Sequence, residues 1–276
     1  SQIDMIYHSG ASVNLIYPYS VLKPANVLGT QEILRLASQI KIKPVHFVST
    51  TSVFCPENYP ENEVLLESDP LDYYQGLVGG YPQSKWVAEK LVMQARERGL
   101  PVTIYRAARI IGHSQIGICN TEDLFSRIIT TCMQLGATPN IDWEDNLTPV
   151  DYVSQAIVYL SFQKESLGKA FHLLNPQIIS MNHLFNLIRE LGYQLPQISY
   201  DQWYYQLINL MQKSADKKLE IMSAFFPPTS QQKIPEPKFD YQNTVKGLFG
   251  ANINCPPINE NLLSQYFKND NFIYSK

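Results

Sequence analysis

Tyr81 and Lys85 stand four residues apart in Gly79-Gly80-Tyr81-Pro82-Gln83-Ser84-Lys85, so one helical turn puts a phenol and an ammonium on the same face. Upstream, the apolar run Val45-His46-Phe47-Val48 ends in Ser49-Thr50-Thr51-Ser52. A phenol, an ammonium and a hydroxyl brought together suit acid–base work on a carbonyl. A free phenol titrates near about 10, poorly matched to neutral pH. A close ammonium favours the phenolate, and the Thr50 hydroxyl can hydrogen-bond a carbonyl oxygen as negative charge develops on it. Tyr-x-x-x-Lys alone is a common coincidence of surface helices. Its weight here comes from position, because open α/β sheets bind ligands outside the carboxyl ends of their strands. Thr50 sits at such an end.

These side chains need a frame. Asp4-Met5-Ile6-Tyr7 leads into His8-Ser9-Gly10-Ala11, and residues 26–40 read as a helix with Val27, Ile33, Leu34, Leu36 and Ala37 apolar. Pro44-Val45-His46-Phe47-Val48-Ser49 reads as a buried strand, followed by a polar loop over residues 55–80. Residues 82–99 read as a helix, with Pro82 at the first helical position and Gly99 as the stop after Arg96-Glu97-Arg98. Val102-Thr103-Ile104-Tyr105 is a further strand, residues 150–162 a helix and residues 169–174 a strand. Alternation at this spacing predicts βαβ units and a parallel sheet. Beyond residue 176, helical patterns over 181–191 and 200–225 sit among joins such as Phe226-Pro227-Pro228 and Ile234-Pro235-Glu236-Pro237. The expectation is an α/β chain, with the sheet domain over residues 1–175 and a smaller, mainly helical lobe over residues 176–276. Tyr200, Trp203, Tyr204, Tyr205, Phe225 and Phe226 read as core of that lobe, or else as the wall of a substrate channel.

Composition narrows the function classes. Of 276 residues, 45% are hydrophobic and 12% aromatic, too rich for a disordered chain. Lys and Arg number 22 against 25 Asp and Glu, a net charge of −3, which argues against a nucleic-acid binder built on a basic face. No apolar stretch reaches the roughly 18 residues of a membrane span, and Ser1-Gln2-Ile3-Asp4 does not open a secretory signal. Cys55, Cys119, Cys132 and Cys255 lack CxxC or CxxH spacing and the histidines lack HExxH, so no metal site is expected. The thiols read as reduced, in a cytoplasmic protein. Asp142-Trp143-Glu144-Asp145 reads as a solvated turn.

With these residues in view, the chain resembles an extended short-chain dehydrogenase/reductase, and more closely the terminal thioester reductase domain of nonribosomal peptide synthetases. The resemblance covers nearly the whole chain. It rests on His8-Ser9-Gly10-Ala11, Asn26-Val27-Leu28-Gly29-Thr30, Ser49-Thr50-Thr51-Ser52-Val53-Phe54, Tyr81-Pro82-Gln83-Ser84-Lys85, Tyr105-Arg106-Ala107-Ala108-Arg109 and Thr148-Pro149-Val150-Asp151-Tyr152-Val153, with the tail around Cys255-Pro256-Pro257. It implies a Rossmann-like doubly wound sheet that takes a peptidyl or acyl thioester from the phosphopantetheine arm of a carrier protein. NADPH would supply hydride, and the product would be an aldehyde, sometimes reduced again to an alcohol. It further implies Tyr81 as proton donor, Thr50 as the group polarising the carbonyl, and Lys85 as the holder of the nicotinamide ribose and tuner of Tyr81. Ser9, Gly10, Ala11, Asn26, Ser49 and Ala108 would join Lys85 along the cofactor, Asn26 either as structural support or in a proton relay. Lys213, Lys217 and Lys218 would be a solvated helix face or a surface for an acidic carrier.

Two departures from the family pattern carry expectations of their own. Where the family reads Arg-Pro-Gly-Arg, this chain has Arg106-Ala107-Ala108-Arg109, and two Cβ-bearing residues there are expected to alter the turn or narrow the pocket. No glycine-rich strand–turn–helix fingerprint occurs, since neither Gly76-Leu77-Val78-Gly79-Gly80 nor Gly247-Leu248-Phe249-Gly250 follows a strand pattern. That fingerprint supplies the pyrophosphate site. The expectation is therefore weak NADPH binding by these residues alone and a bare edge on the first strand. The chain would be the C-terminal portion of a longer, N-terminally extended domain, with roughly 70–100 residues in front at about 30 per βαβ unit. Two other readings compete: a truncated, inactive fragment that only docks a carrier, and an enzyme of the nucleotide-sugar epimerase or dehydratase class. The scarcity of Arg in residues 176–228 weighs against the second.

Overall fold

Val45-His46-Phe47-Val48-Ser49-Thr50 is buried along nearly its whole length on both faces, as a strand inside a doubly covered parallel sheet must be. The computed structural model describes residues 2–59, 63–213, 219–229 and 237–268. In chain order the elements are β1 (Ile6–His8), α1 (Tyr19–Lys23), α2 (Gly29–Ser38), β2 (Val45–Thr50), β3 (Val64–Leu65), α3 (Gly80–Glu97) and β4 (Val102–Ala107). Next come β5 (Arg109–Ile111), α4 (Leu124–Leu135), β6 (Thr138–Asn140), β7 (Glu144–Asp145), β8 (Leu147–Pro149), α5 (Val150–Ser161) and β9 (Ala170–Leu173). The rest are β10 (Ile179–Ser180), α6 (Met181–Glu190), β11 (Gln197–Ser199), α7 (Tyr200–Lys213), α8 (Glu220–Phe225), β12 (Lys238–Phe239), α9 (Gln242–Gly247) and α10 (Glu260–Lys268). No helix among the described residues is long and apolar enough to cross a membrane.

The chain divides into two compact units, each discontinuous. The first comprises Ser1–Ala108, Tyr152–Leu174 and Pro237–Asn254, the second Arg109–Asp151, Asn175–Glu236 and Cys255–Lys276. One junction, between Leu174 and Asn175, adjoins the single boundary read from the sequence.

In the first unit four parallel strands lie in the order β1-β2-β4-β9, with β1 at one end among the described residues. On one face Val45, Phe47, Val102 and Ile104 pack with Ala37 of α2 and with Ala88 and Val92 of α3. Each such large apolar side chain contributes about 1.5–3 kcal/mol by leaving water. On the other face the rings of Tyr7, His46, Tyr105 and Phe171 follow one another across the strands at 5.2, 6.0 and 5.8 Å. The Tyr7 hydroxyl reaches Ser161 Oγ of α5 at 2.6 Å. Helices therefore cover both faces, and the α/β, doubly wound parallel sheet anticipated from the sequence is present.

The differences from expectation have local causes. Residues 26–40 are not one helix: Pro24–Leu28 forms a wide π turn that passes into α2. Helix α3 begins at Gly80, two residues before Pro82, because a proline anywhere in the first turn gives up an N–H that lacks an intrahelical partner. α4 was absent from the sequence reading, although Asp123 caps it by accepting from Ser126 N at 2.7 Å and Gly136 ends it at φ 64°. In the pattern over 200–225, α7 stops at Lys213, which is exposed, and α8 starts at Glu220. Lys217 and Lys218 lie outside the described residues.

In the second unit Tyr200, Trp203 and Phe226 are buried core, with Trp203 Nε1 donating to Ala137 O at 3.1 Å. Tyr205 stands in solvent. The acidic turn is solvated only in part: Asp142 and Glu144 are exposed, whereas Asp145 is buried and pairs with Arg109 Nε at 2.6 Å.

Candidate active site

Strand β2 ends in Val48, Ser49 and Thr50, and helix α3 meets each of these consecutive residues. The Tyr81 hydroxyl shares a hydrogen bond with the Thr50 side chain. One turn on, Lys85 Nζ donates to Val48 O at 2.8 Å and lies 4.2 Å over the Phe47 ring. A further turn on, Glu89 accepts a short hydrogen bond from Ser49 Oγ. Tyr81, Lys85 and Glu89 are spaced i, i+4, i+8 and share one helix face. The register of the sheet completes the arrangement. Ser49 is opposite Arg106 on β4, and Arg106 Nε donates to the other Glu89 oxygen at 2.8 Å.

Thr50 is held in extended geometry, its hydroxyl oxygen accepting from Ser52 N at 3.2 Å. Burial moves the two titrating partners in opposite directions. It pushes the Tyr81 phenol up to about 12, an effect the Thr50 hydrogen bond partly offsets. It draws the Lys85 ammonium down to about 8, with Glu89 pulling the other way. Desolvation thus outweighs the expected lowering of Tyr81 by Lys85.

Two glycines set the position of Tyr81, and neither was given that role from sequence. Gly79 precedes α3 at φ 88°, the left-handed region open to glycine. At Gly80 a Cβ would stand 2.3 Å from Tyr17 O and 2.5 Å from Pro18 C and Tyr19 N, so the helix start lies directly on backbone. Asn26 braces the same place. Its Oδ1 accepts from Ser12 N at 2.7 Å, and its Nδ2 donates to Ser12 O at 3.0 Å and to Ser84 Oγ at 2.9 Å. Both amide hydrogens are thereby spent on tying the loop after β1 to α3.

The remaining predicted positions are more open. Ser9, Gly10 and Ala11 are exposed just past the carboxyl end of β1. Gly10 has no left-handed φ, and a Cβ there would meet no atom within 4 Å. Neither conformation nor packing within the chain demands glycine at that point, so the backbone there stands open to the approach of a ligand. Ala108 extends β4, its N–H donating to Leu173 O at 3.1 Å without positive φ, so the alanine pair continues the ladder rather than forming a glycine turn. Together, Thr50, Tyr81, Lys85 and Ser49 form one cluster, Asn26 supports it from behind, and Ser9 to Ala11 and Ala108 mark strand ends of the same sheet. Lys85 makes one hydrogen bond among the described residues, leaving ammonium hydrogens for a ligand. These residues fit the nicotinamide end of a dinucleotide.

Glu89 and Arg106 were missed by the sequence reading. The signal was present, since Glu89 continues the four-residue spacing of Tyr81 and Lys85. Their ion pair is wholly buried, and Arg106 Nη1 also bonds Glu67 O and His172 Nε2, each at 3.2 Å. His172 Nδ1 faces Asp240 O at 2.6 Å. A carbonyl only accepts and a guanidinium only donates, so His172 carries its hydrogen on Nδ1.

Known proteins share this sequence pattern and fold. Residues 1–157 match the family model described as Male sterility protein, an NAD-binding family. A linear gramicidin synthase of Brevibacillus parabrevis is 39% identical over 269 residues, 95% of this chain and 5% of that protein. Glycine betaine reductase ATRR of Emericella nidulans is 42% identical over 206 residues, 73% of this chain and 16% of that protein. The chain thus spans a small part of the curated relatives it matches. The crystal structure of the terminal R domain from the myxalamid PKS-NRPS biosynthetic pathway superposes with a TM-score of 0.90 at 43% identity, over 99% of this chain and 70% of that one. The chain belongs to the male sterility protein family of NAD-binding domains and, within the extended short-chain dehydrogenases/reductases, to the reductase (R) domains of nonribosomal peptide synthetases.

Proposed function

We propose that this chain catalyses reductive release of a peptidyl or acyl thioester from the phosphopantetheine arm of a carrier protein, in the cytoplasm, giving an aldehyde and the free thiol. The observation that carries this reading is the cluster at the end of β2, where the Tyr81 hydroxyl meets Thr50 and Lys85 lies one turn away. Ser9, Gly10, Ala11, Lys85 and Ala108 would hold NADPH, with Asn26 and Ser49 supporting them from behind, and the bound cofactor would supply hydride to the thioester carbonyl carbon. Thr50 and Tyr81 hydrogen-bond the carbonyl oxygen, where negative charge gathers. Tyr81 is a neutral phenol at physiological pH, and burial, which raises it to about 12, disfavours its ionisation further, so it arrives with the proton that the oxygen needs. Lys85, charged below about 8, holds the ribose and stabilises the phenolate left behind. Breaking the carbon–sulfur bond of the resulting hemithioacetal expels the thiol and leaves the aldehyde. The 1–175 expectation of a cofactor domain and the 176–276 expectation of a substrate- and carrier-facing lobe are part of this proposal.

The test is NADPH consumption by the native protein with an octanoyl thioester on a phosphopantetheinylated carrier, the aldehyde being identified by mass spectrometry. Tyr81→Phe should lower turnover by about 10²–10⁴-fold while the fold is kept. Full activity in that variant, or no aldehyde from the wild-type protein, would sink the proposal.

A further inference from the structure

We propose that Glu89 is a positioning residue for Lys85, its carboxylate fixed between Ser49 and Arg106 so that the ammonium one turn away stays charged and aimed at the end of β2. The inference rests on the reading of Lys85 and Tyr81 as the working pair, and it adds a residue that touches neither substrate nor cofactor.

The geometry carries it. Lys85 and Glu89 sit on consecutive turns of α3 and meet consecutive residues of β2, Val48 and Ser49. Glu89 cannot drift, because its two oxygens are held from two strands, Oε2 by Ser49 Oγ and Oε1 by Arg106 Nε. Ser49 and Arg106 are ladder partners, so both clamps move only with the sheet itself. Arg106 is fixed in turn by Glu67 O, by His172 and by the Phe54 ring 4.8 Å away. No part of the Glu89 side chain is exposed.

The charges around Lys85 make Glu89 the group that matters. From β1 comes His8, which burial and the Lys85 charge draw down to about 4, so it is neutral at physiological pH. From α3 comes Tyr81, neutral below about 12. From β4 comes Arg106, a second cation across the Glu89 carboxylate. On β9, His172 touches Arg106 and is neutral, drawn down to about 3, and Glu67 meets Arg106 through its backbone oxygen while its carboxylate is taken up by His172 N, Asn243 N and Thr244. α1 carries Tyr19 and Lys23, and α2 offers the exposed Glu32–Arg35 pair. Glu89 therefore pairs with one buried cation, Arg106, and sits one turn from the other, Lys85, so removing it takes away the negative charge that favours the ammonium. An unpaired buried ammonium sheds its proton.

The test is an NMR titration of lysine Nζ in the full chain, with neither cofactor nor substrate present and Lys85→Met assigning the resonance. In the wild-type chain the Lys85 midpoint should fall near 8. Glu89→Gln should lower it by about one pH unit or more, a tenfold fall in the ratio of ammonium to amine. Glu89→Asp, which keeps the charge at shorter reach, should recover part of the shift. A midpoint unchanged or raised in Glu89→Gln overturns the proposal. Should Glu89→Gln not fold, the wild-type chain decides through the Glu89 carboxyl carbon. That resonance should inflect at the Lys85 midpoint, and a flat trace there overturns the proposal equally. A purely structural Glu89 would change melting temperature and leave the titration in place. Since no turnover enters the measurement, its failure is separate from failure of the thioester assay.

Discussion

In the proposed reaction Tyr81 is the proton donor and Lys85 the cation beside it, and burial pushes each toward its uncharged form by a different amount. The phenol, raised to about 12, is a stored proton, which is what a reduction needs. The ammonium, lowered to about 8, is still largely charged at physiological pH. Holding it costs stability. The Lys85 value in the folded chain lies below the 10.5 of the unfolded chain, so between about 8 and 10.5 the unfolded state binds more protons. Stability contributed through this group therefore rises with pH across that window, and the burial penalty is present in full below it. Lys85→Met removes the ionisable group. Relative to Lys85→Met, the wild-type protein should gain stability as pH rises from about 8 toward 10.5, as read by urea unfolding of both proteins. A difference independent of pH would contradict a buried, titrating ammonium. At this scale the sequence was legible where spacing alone identifies partners, as for Tyr81 with Lys85 and Thr50 at a strand end. Glu89 was legible by the same spacing, whereas Arg106 was not, because its pairing with Glu89 depends on how β4 lies beside β2 under α3, which no local pattern records.

At the scale of elements, the placement of Tyr81 rests on how closely the start of α3 approaches the chain at Tyr17, Pro18 and Tyr19. Gly80→Ala would drive a methyl into backbone atoms 2.3–2.5 Å away, and backbone cannot rotate aside. The helix start must shift, with a cost of about 1–3 kcal/mol and a displaced phenol. Gly10→Ala meets nothing within 4 Å, so its effect on stability should stay under about 1 kcal/mol. If Gly10 faces the cofactor as proposed, its methyl should still weaken NADPH binding by about tenfold. Thermal melting and NADPH titration on both variants separate the two cases: a large melting shift for Gly10→Ala, or none for Gly80→Ala, would refute this account. The same contrast explains what the sequence left illegible. Glycine at 79–80 is visible in the sequence, but whether it answers to φ or to a close neighbour is a tertiary fact. α4 was legible in its caps, Asp123 and Gly136, and obscured by its β-branched interior, Ile128-Ile129-Thr130-Thr131, which by propensity alone reads as strand.

At the scale of the whole chain, the two units carry different acid sensitivities. The three histidines drawn down by burial all belong to the first unit: His8 and His46 to about 4, and His172 to about 3, from 6.5. Each stays neutral when folded and gains a proton when unfolded, so the unfolded state binds more protons between 6.5 and about 4. Stability is then lost as pH falls through that window. His46 is the most committed of the three, since its Nδ1 meets Tyr105 OH at 3.0 Å while its buried Nε2 has no hydrogen-bond partner among the described residues. Glu67, raised by burial, works in the opposite sense in the same unit, where three imidazoles act together against it. In the second unit Asp123 is also raised and gains stability on acidification, while Asp151 is held below 3.8, chiefly by its hydrogen bonds to Ser114, and loses its contribution only at lower pH. Hydrogen exchange, corrected for its intrinsic pH dependence, should therefore show β2, β4 and β9 losing protection between pH 6.5 and about 4 while α4, α6 and α7 retain theirs. His46→Phe should reduce the loss in the first unit by removing one of the three titrations. Simultaneous loss in both units, or earlier loss in the second, would mean that something other than these histidines governs acid unfolding.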